Sequence, residues 1–431
     1  MINWLIILIA YLPFQIALNP SAGFDLASIR IFIVLFFVIW LASVLKRRVV
    51  KLSNIICFRN LRNIFLLFFL ILTAFSLISA ENVFWGARKV VFFLSIFPLY
   101  FLVVGLIDSS LRVKKVVSVL IGGAGLIGLI GLIQFLSQFI FGLENIYEFW
   151  AVNIVSIFSG FNLGALLLTY SSWLVNVSHT TIMRAFSLFS DPHMLSFYLG
   201  MILPIAIMRR FIQKQSLLSR WTVPVLFIVL LLTFTRGAYL AIIITFVITA
   251  GLLWIYPKRK KAAVFLCLAL LIFITPITPI ADRFYSSFDL EESSNVGRLE
   301  MWQQAGQIGL ENLWQGIGLG NYALVVNPEL GYRSPITAHN LYLDIFSEMG
   351  IIALIVWLVL ILGTIWQLFL KLRQSIENKE QQFILIGLIG SLVYFSIHSF
   401  FETAVYSPII LSVLMIILGL STVVIKKQNQ L

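Results

Sequence analysis

Apolar runs of 15 to 26 residues recur along the chain, separated by short polar or basic connections. A helix needs about 20 such residues to cross about 30 Å of hydrocarbon, with about 17–25 as the working range. The pattern predicts twelve membrane spans, over residues 3–18, 30–45, 64–79, 90–107, 116–141, 194–208, 221–235, 237–256, 262–280, 350–369, 383–400 and 405–425. Several are short, as expected where spans tilt little or end in re-entrant turns. A further apolar stretch, 154–175, is interrupted by Gly160, Asn162, Gly164, Ser171 and Ser172. It reads as a re-entrant or interfacial segment, because irregular backbone at membrane depth must be covered by protein. A true span, with a neighbouring pair merged, is the alternative. The expected organisation is therefore spans 1–5 in residues 1–141, an outer loop at 142–193, spans 6–9 in 194–280, a long loop at 281–349, and spans 10–12 with a tail in 350–431.

The segment 281–349 is the one extended polar region. It opens with Asp282-Arg283 and an acidic, Ser-rich loop (Asp289, Glu291, Glu292, Ser293, Ser294). In 296–310, Leu299, Trp302, Ala305 and Ile308 recur near helical spacing. A Gly-rich turn, Gly316-Ile317-Gly318-Leu319-Gly320-Asn321, follows, and after Ser334-Pro335 a second helix is expected from about Thr337 into the tenth span. A loop this long with helices of its own is more often functional than a linker. The glycines lack the spacing and the strand–helix setting of a nucleotide-binding loop.

Composition agrees with the pattern. Of 431 residues, 60% are apolar and 11% charged, against about 25% charged in a soluble domain. That excludes a soluble enzyme and also a disordered chain. The net charge of +12 would suggest nucleic-acid binding on a soluble protein; here it reports orientation instead. With the N-terminus inside, the inner loops hold 22 of the 30 Lys and Arg, including Lys46, Arg47, Arg48, the run Lys258-Arg259-Lys260-Lys261, and Lys426-Lys427. The inner face sums to +19 and the outer to −7. By the positive-inside rule both termini are cytoplasmic. The start of the chain has no basic n-region and no cleavage site, so it reads as a first span rather than a removed signal peptide. Cys57 and Cys267 have no plausible partner or metal-ligand spacing.

The eight outer basic residues are Arg30, Arg88, Lys89, Arg184, Arg236, Arg283, Arg298 and Arg333. Seven are Arg, whose planar fork suits phosphate oxygens. No ATP is available outside the cytoplasm, so a reaction there needs an activated substrate, and lipid-linked diphosphates qualify. Arg236, in Thr235-Arg236-Gly237 at the outer turn of a helical hairpin, is a candidate diphosphate clamp; the plain alternative is an Arg snorkelling to headgroups. Arg298 has Trp302 on its helix as an aromatic wall, and Arg184 and Arg283 are equally readable as solvated loop residues. His339 is expected in the first turn of the second loop helix, where the helix N-terminus would lower the imidazole pKa and keep it neutral as a base. Asn340, Tyr342, Asp344 and Glu348 accompany it, and Asn340, Asp344 and Glu348 form a stripe facing away from His339.

These residues carry a resemblance. Arg298 and Trp302, the turn 316–321, and Ala338-His339-Asn340 with Tyr342, Leu343, Ser347, Glu348 and Gly350 resemble the outer-loop domain of the O-antigen ligase and O-antigen polymerase superfamily. Arg184, Phe186, Phe189 and Asp191-Pro192-His193 resemble the family's Arg-x-x-Gly-x-Phe-x-Asp-Pro-Asn element, with His193 in place of Asn. Thr235-Arg236-Gly237-Ala238 resembles its Ser-Arg-Gly-Ala turn. The resemblance implies an all-α polytopic membrane protein, GT-C-like, that acts as a glycosyltransferase without metal or other cofactor. It implies an undecaprenyl-diphosphate-linked glycan as donor and a glycan or lipid A–core as acceptor, on the extracytoplasmic face of a bacterial inner membrane. His339 would be the catalytic base, Arg236, Arg298 and Arg184 the diphosphate ligands, and Asn340, Tyr342 and Trp302 supporting or acceptor-binding residues. Ligase and polymerase remain alternatives. A transporter is a third reading, although transporters usually show internal repeats and midplane charges, which this chain lacks.

Overall fold

A computed structural model describes residues 1–21, 24–47, 60–160, 171–177, 180–212, 217–255, 260–274, 279–286, 293–329, 336–375 and 378–426. Several sequence features lie outside the described residues: Cys57, His179, Arg333, Ser334-Pro335, the acids Asp289, Glu291 and Glu292, and residues 161–170 of the interrupted apolar stretch. The same holds for the inner-loop cations Arg48, Lys51, Arg59, Lys214, Lys258, Arg259 and Lys427.

Helices make up nearly all of the fold. The N-terminal half runs α1 (Ile2–Tyr11), a hairpin of β1 (Ala17–Ser21) and β2 (Phe24–Ala27), then α2 (Ser28–Arg47), α3 (Leu61–Phe75), α4 (Val83–Ile96), α5 (Pro98–Leu106), α6 (Ser110–Phe141) and α7 (Leu143–Phe149). A second hairpin, β3 (Leu174–Val177) and β4 (Thr180–Met183), leads into α8 (Pro192–Arg210), α9 (Leu217–Leu232), α10 (Arg236–Trp254), α11 (Lys260–Ile274) and α12 (Pro279–Tyr285). The remainder is α13 (Ser293–Glu311), α14 (Tyr322–Val326), α15 (Leu341–Gln374), α16 (Lys379–His398) and α17 (Pro408–Lys426). Both hairpins are antiparallel, pairing Leu18 with Leu26 and Val175 with Ile182. Their strands are too short to leave an alternating signature in the sequence.

Among the described residues nine helices are long and apolar enough to cross a bilayer: Ser28–Lys46, Leu61–Ser79, Val83–Leu106, Ser110–Phe141, Pro192–Arg210, Arg236–Trp254, Leu341–Gln374, Lys379–His398 and Pro408–Lys426. They coincide with nine of the twelve expected spans. The other three expected spans fall on shorter helices, Ile2–Phe14, Arg220–Leu232 and Lys260–Ile274, so twelve full-length crossings are not what the described chain presents. The first is cut short at a single 3-10 turn, Leu12–Phe14, which contains Pro13, after which the chain turns into β1.

Burial divides the bundle into a centre and a rim. The apolar windows of α8, α16 and α17 are 83%, 83% and 89% buried, whereas that of α2 is 22% buried and stands at the rim. Tyr394 on α16 donates its hydroxyl to the Ser196 carbonyl of α8 at 2.9 Å, and Ser391 donates to Met201 of the same helix. Such bonds join helices where lipid supplies no hydrophobic driving force. The connections before α8, between α9 and α10, before α13, before α15 and between α16 and α17 all gather at one end of this centre. That end carries the candidate chemistry.

Candidate functional site

α13 forms over 293–311 as its periodicity predicts, and its inner residues Ala305 and Ile308 bury with Ile317, Tyr322 and Ala338 in a small core of their own. The Gly-rich turn then locks this unit onto α15. Gly316, Gly318 and Gly320 all have positive φ (66°, 94° and 82°). Ile317 and Gly318 donate their N–H groups to the carbonyls of Ser347 and Glu348 at 2.9 and 3.0 Å. α15 is interrupted at Gly350 (φ 79°, ψ 177°), where a Cβ would stand 2.4 Å from the Trp314 carbonyl oxygen. That backbone region is essentially reserved for glycine and costs about 1–3 kcal/mol otherwise. Gly350→Ala is therefore expected to lower the unfolding temperature of the detergent-solubilised protein. An unchanged melting curve would show that the kink does not depend on glycine.

A second clamp holds the turn from the α4 side. Asn321 Oδ1 accepts the Asn82 N–H at 2.7 Å. Lys89 lies 3.5 Å from Glu348 and 3.9 Å from the centre of the Tyr406 ring, whose hydroxyl donates to Glu348 at 3.0 Å. Asp344 accepts from the Ala338 N–H at 2.9 Å and from the Thr403 hydroxyl. Thus Asp344 and Glu348 tie α15 to the turn between α16 and α17, and Asp344 lies close enough for its charge to act on His339 rather than facing away from it as the helical spacing predicts.

His339 sits just before α15, not within its first turn. The helix cap is Asn340, whose Oδ1 accepts the N–H groups of Tyr342 (3.0 Å) and Leu343 (3.2 Å). His339 itself takes a left-handed conformation, φ 47°, which directs its ring toward the turn between α16 and α17. There its Nδ1 lies 3.1 and 3.0 Å from the two oxygens of Glu402. The expectation of a lowered imidazole pKa is overturned: the negative charge of Glu402 raises it, against the opposing effect of burial, and the hydrogen bond adds to the rise. The helix N-terminus loses because Glu402 is in direct contact. Burial in turn works against ionisation of Glu402, but His339, then His193 and Arg298, outweigh it and hold the carboxyl well below its usual range.

His193, the second residue of α8, approaches the same carboxylate at 3.8 Å. Its helix is capped by Asp191, which accepts the Met194 N–H at 3.0 Å. Glu402 therefore stands between two imidazoles, and sequence reasoning passed over it. One signal was available: Glu402 is the sole acid after Glu380, between two apolar runs, where a carboxylate is costly unless it has partners.

Two arginines lie near this cluster, Arg298 on α13 and Arg236 at the start of α10, where Gly237 packs against Phe401. Arg236 is the first residue of α10, only 8% exposed, and donates from Nη1 to the Ser286 carbonyl at 3.1 Å. Asn295 at the start of α13 donates to the same carbonyl at 3.1 Å. Arg298, half-buried, is close enough for its charge to act on Glu402, His339 and Arg184. Trp302, one turn further along α13, has its ring 6.2 Å from that of Phe401.

Arg184 is used differently from the expectation. Its Nε donates to Thr233 O at 2.7 Å, Nη1 to Ser172 O at 3.0 Å and Nη2 to Thr235 Oγ1 at 2.9 Å. Every nitrogen of the guanidinium is engaged by protein, which makes Arg184 the brace of the turn that presents Arg236. Burial lowers its pKa to about 10, Arg283 acting in the same direction against Asp191 and Tyr239, so it stays charged near neutrality. Asn340 and Tyr342 are likewise committed. Asn340 caps α15, and the Tyr342 hydroxyl donates to Ser396 O at 2.8 Å while its ring packs 4.6 Å from Phe400.

Three non-glycine residues have positive φ among the described residues: Ser187, Phe234 and His339. Ser187 and His339 fall within segments singled out from the sequence, and Phe234 directly precedes the third, Thr235–Ala238. Such backbone is uncommon and persists where surrounding contacts hold it. Among the described residues no group of three or more His, Cys, Asp or Glu is arranged to hold a metal ion; the cations of the site are arginines.

A helical bundle with buried arginines and a His–carboxylate pair gathered at one end defines a polytopic α-helical membrane protein with a polar site at the end of its spans. Residues 221–358 match the family model for O-antigen ligase, and the match supports membership of the O-antigen ligase superfamily. It runs from α9 into α15 and so includes Arg236, Arg298, Trp302 and His339, but neither Arg184, His193 nor Glu402. No curated protein matches the chain significantly. An O-antigen ligase- or polymerase-type function is the broad activity this supports.

Proposed function

We propose that the protein transfers a glycan from undecaprenyl diphosphate to an acceptor sugar at the extracytoplasmic face of a bacterial inner membrane. The observation that carries the reading is the His339–Glu402 pair beside Arg298. With Nδ1 committed to the carboxylate, Nε2 is the nitrogen left to take a proton from the acceptor hydroxyl. Glu402 keeps the ring oriented and stabilises the imidazolium that forms. The acceptor oxygen bonds to the anomeric carbon as the bond from that carbon to the diphosphate oxygen breaks. Arg236 and Arg298 stabilise the charge that grows on the departing diphosphate, and Arg184 holds the turn that carries Arg236. The excess of Lys and Arg in the loops assigned inside supports the orientation, with both termini cytoplasmic. A lipid A–core acceptor makes the enzyme a ligase and a second lipid-linked repeat makes it a polymerase; the same chemistry serves either.

The test is reconstitution of the purified protein in vesicles with undecaprenyl-diphosphate glycan and each acceptor in turn. Transfer to one of them is the expected outcome, and no transfer to either overturns the reading. Labelling of a cysteine at position 339 only from the cytoplasmic side would overturn the orientation.

The reading also sets a pH dependence. Because Glu402 raises the imidazole pKa, the neutral base accumulates only above the ordinary histidine range. kcat/KM is therefore expected to climb with pH through a midpoint above that range. Glu402→Gln removes the carboxylate charge, so the acid limb should move to lower pH while the plateau falls. A limb that stays in place would separate Glu402 from the titration.

A further inference from the structure

A cavity of about 530 Å³ lies beside the Glu402 turn. Its walls come from the β1–β2 hairpin, the first turn of α2, α4, the entry to α8 and the turn before α17, with Gln15, Asp25, Arg30, Phe92, Asp191 and Tyr406 among its lining. Asp191 is two residues before His193, and Thr403, which also lines the cavity, directly follows Glu402. The cavity thus shares a wall with the His193–Glu402–His339 cluster. None of Arg184, Arg236, Arg283 and Arg298 lines it.

The lining chemistry is that of a sugar site. Gln15 is only 5% exposed; its Nε2 donates to the Phe158 carbonyl at 3.2 Å, while its Oε1 has no hydrogen-bond partner among the described residues. A buried acceptor without a partner is costly and is resolved by a ligand or water that donates to it. Asp25, Asp191, Ser159, Ser190 and Ser407 add acceptors and hydroxyls, and Phe92 and Tyr406 supply aromatic walls. Arg30 donates from Nε to Ser95 at 2.9 Å and lies 5.1 Å above the Phe92 ring, so its guanidinium is fixed in place. Two carboxylates against one arginine would repel a diphosphate, whose oxygens bring no donors. Sugar hydroxyls bring donors, and the volume falls within the range of about 300–1,000 Å³ typical of ligand sites.

We propose that this cavity is the saccharide-binding site for the acceptor, lined by none of the arginines that take the donor diphosphate. The assignment to the acceptor rests on the transferase reading above; saccharide binding itself does not. The acceptor chain lies between Phe92 and Tyr406, its hydroxyls donate to Gln15 Oε1 and Asp25, and its reacting end passes Thr403 toward His339.

The experiment uses the full chain in phospholipid nanodiscs without donor. Two lipid-free probes are compared by saturation-transfer NMR and titration calorimetry. One is the core oligosaccharide released by mild acid from the surface glycolipid of the source cells; the other is the repeat-unit oligosaccharide released from their lipid-linked pool. One of them is expected to bind, distinguishing a ligase from a polymerase acceptor. Gln15→Met and Asp25→Asn should each weaken it at least tenfold, and Ala27→Phe, which places a ring in the cavity that Ala27 lines, should abolish it. Arg236→Ala should bind as the wild type does. Thermal unfolding identifies any variant that fails to fold, and the others then decide. In transfer assays the cavity variants should raise KM for the acceptor and leave KM for the donor unchanged. The proposal is overturned if neither oligosaccharide binds, if the folded cavity variants bind like wild type, or if Arg236→Ala weakens binding as much as they do. Binding that depends on the cavity in a protein that transfers no glycan would overturn the transferase reading and leave the saccharide site standing.

Discussion

His339→Ala is expected to reduce glycan transfer by about 10²–10⁴-fold, the usual contribution of a positioned general base. The loss should fall on kcat, with KM for both substrates little altered, because groups other than the ring also hold the start of α15. The cap is Asn340, the strap 337–340 is fixed by Asp344, and Leu341 N–H donates to Ser399 O at 2.9 Å. The fold should therefore survive, and its melting temperature is the control. His339→Gln keeps a hydrogen bond to Glu402 but cannot take a proton, so it should be as inactive as the alanine variant. A glutamine variant that works at the wild-type rate would make His339 a structural residue and sink its role as the base.

Arg236→Ala is expected to cost about 10²–10³-fold in kcat, the magnitude found when one preorganised donor to a developing negative charge is removed. Its position makes this more than a general electrostatic effect. Arg184 braces the preceding turn through Thr233 and Thr235, and Ser286 fixes one guanidinium nitrogen. The fork is thus set in direction before substrate arrives. Arg236→Lys keeps the charge and loses the fork, so it should recover only part of the rate. Arg184→Lys should act through the turn, lowering stability and kcat together. Full activity in Arg236→Lys would show that a point charge suffices and that the fork geometry is irrelevant.

Much of the fold was legible along the chain because the bilayer imposes one strong rule on sequence: long apolar runs become helices that satisfy their own backbone. Nine expected spans therefore fall on long helices, and α13 follows from helical periodicity, whereas the helix expected to run from Thr337 into the tenth span starts at Leu341 and is broken at Gly350. The same rule missed the two β-hairpins and overextended the first span past Pro13, since these depend on a few residues at the membrane edge. Arg236, Arg298 and His339 were legible by residue type and setting. Their company was less so. Glu402 lies 63 residues from His339 in sequence and meets it only because α15 and α16 pack side by side. The imidazole pKa followed that contact and reversed the direction expected from helix position. Likewise Arg184 looked like a ligand for phosphate until its three nitrogens were found on Thr233, Ser172 and Thr235.

The class of protein, the placement of nine spans and the residue types able to do chemistry can be read along the chain. These are properties of local composition and period, and a low-dielectric solvent reads them segment by segment. Only the tertiary structure decided which groups touch: the carboxylate between His339 and His193, the bracing of Arg236 by Arg184, and the Gln15 cavity beside the Glu402 turn. Hydrogen bonds and charge–charge effects act over a few ångströms, and at that range neighbours are set by how helices far apart in sequence pack together.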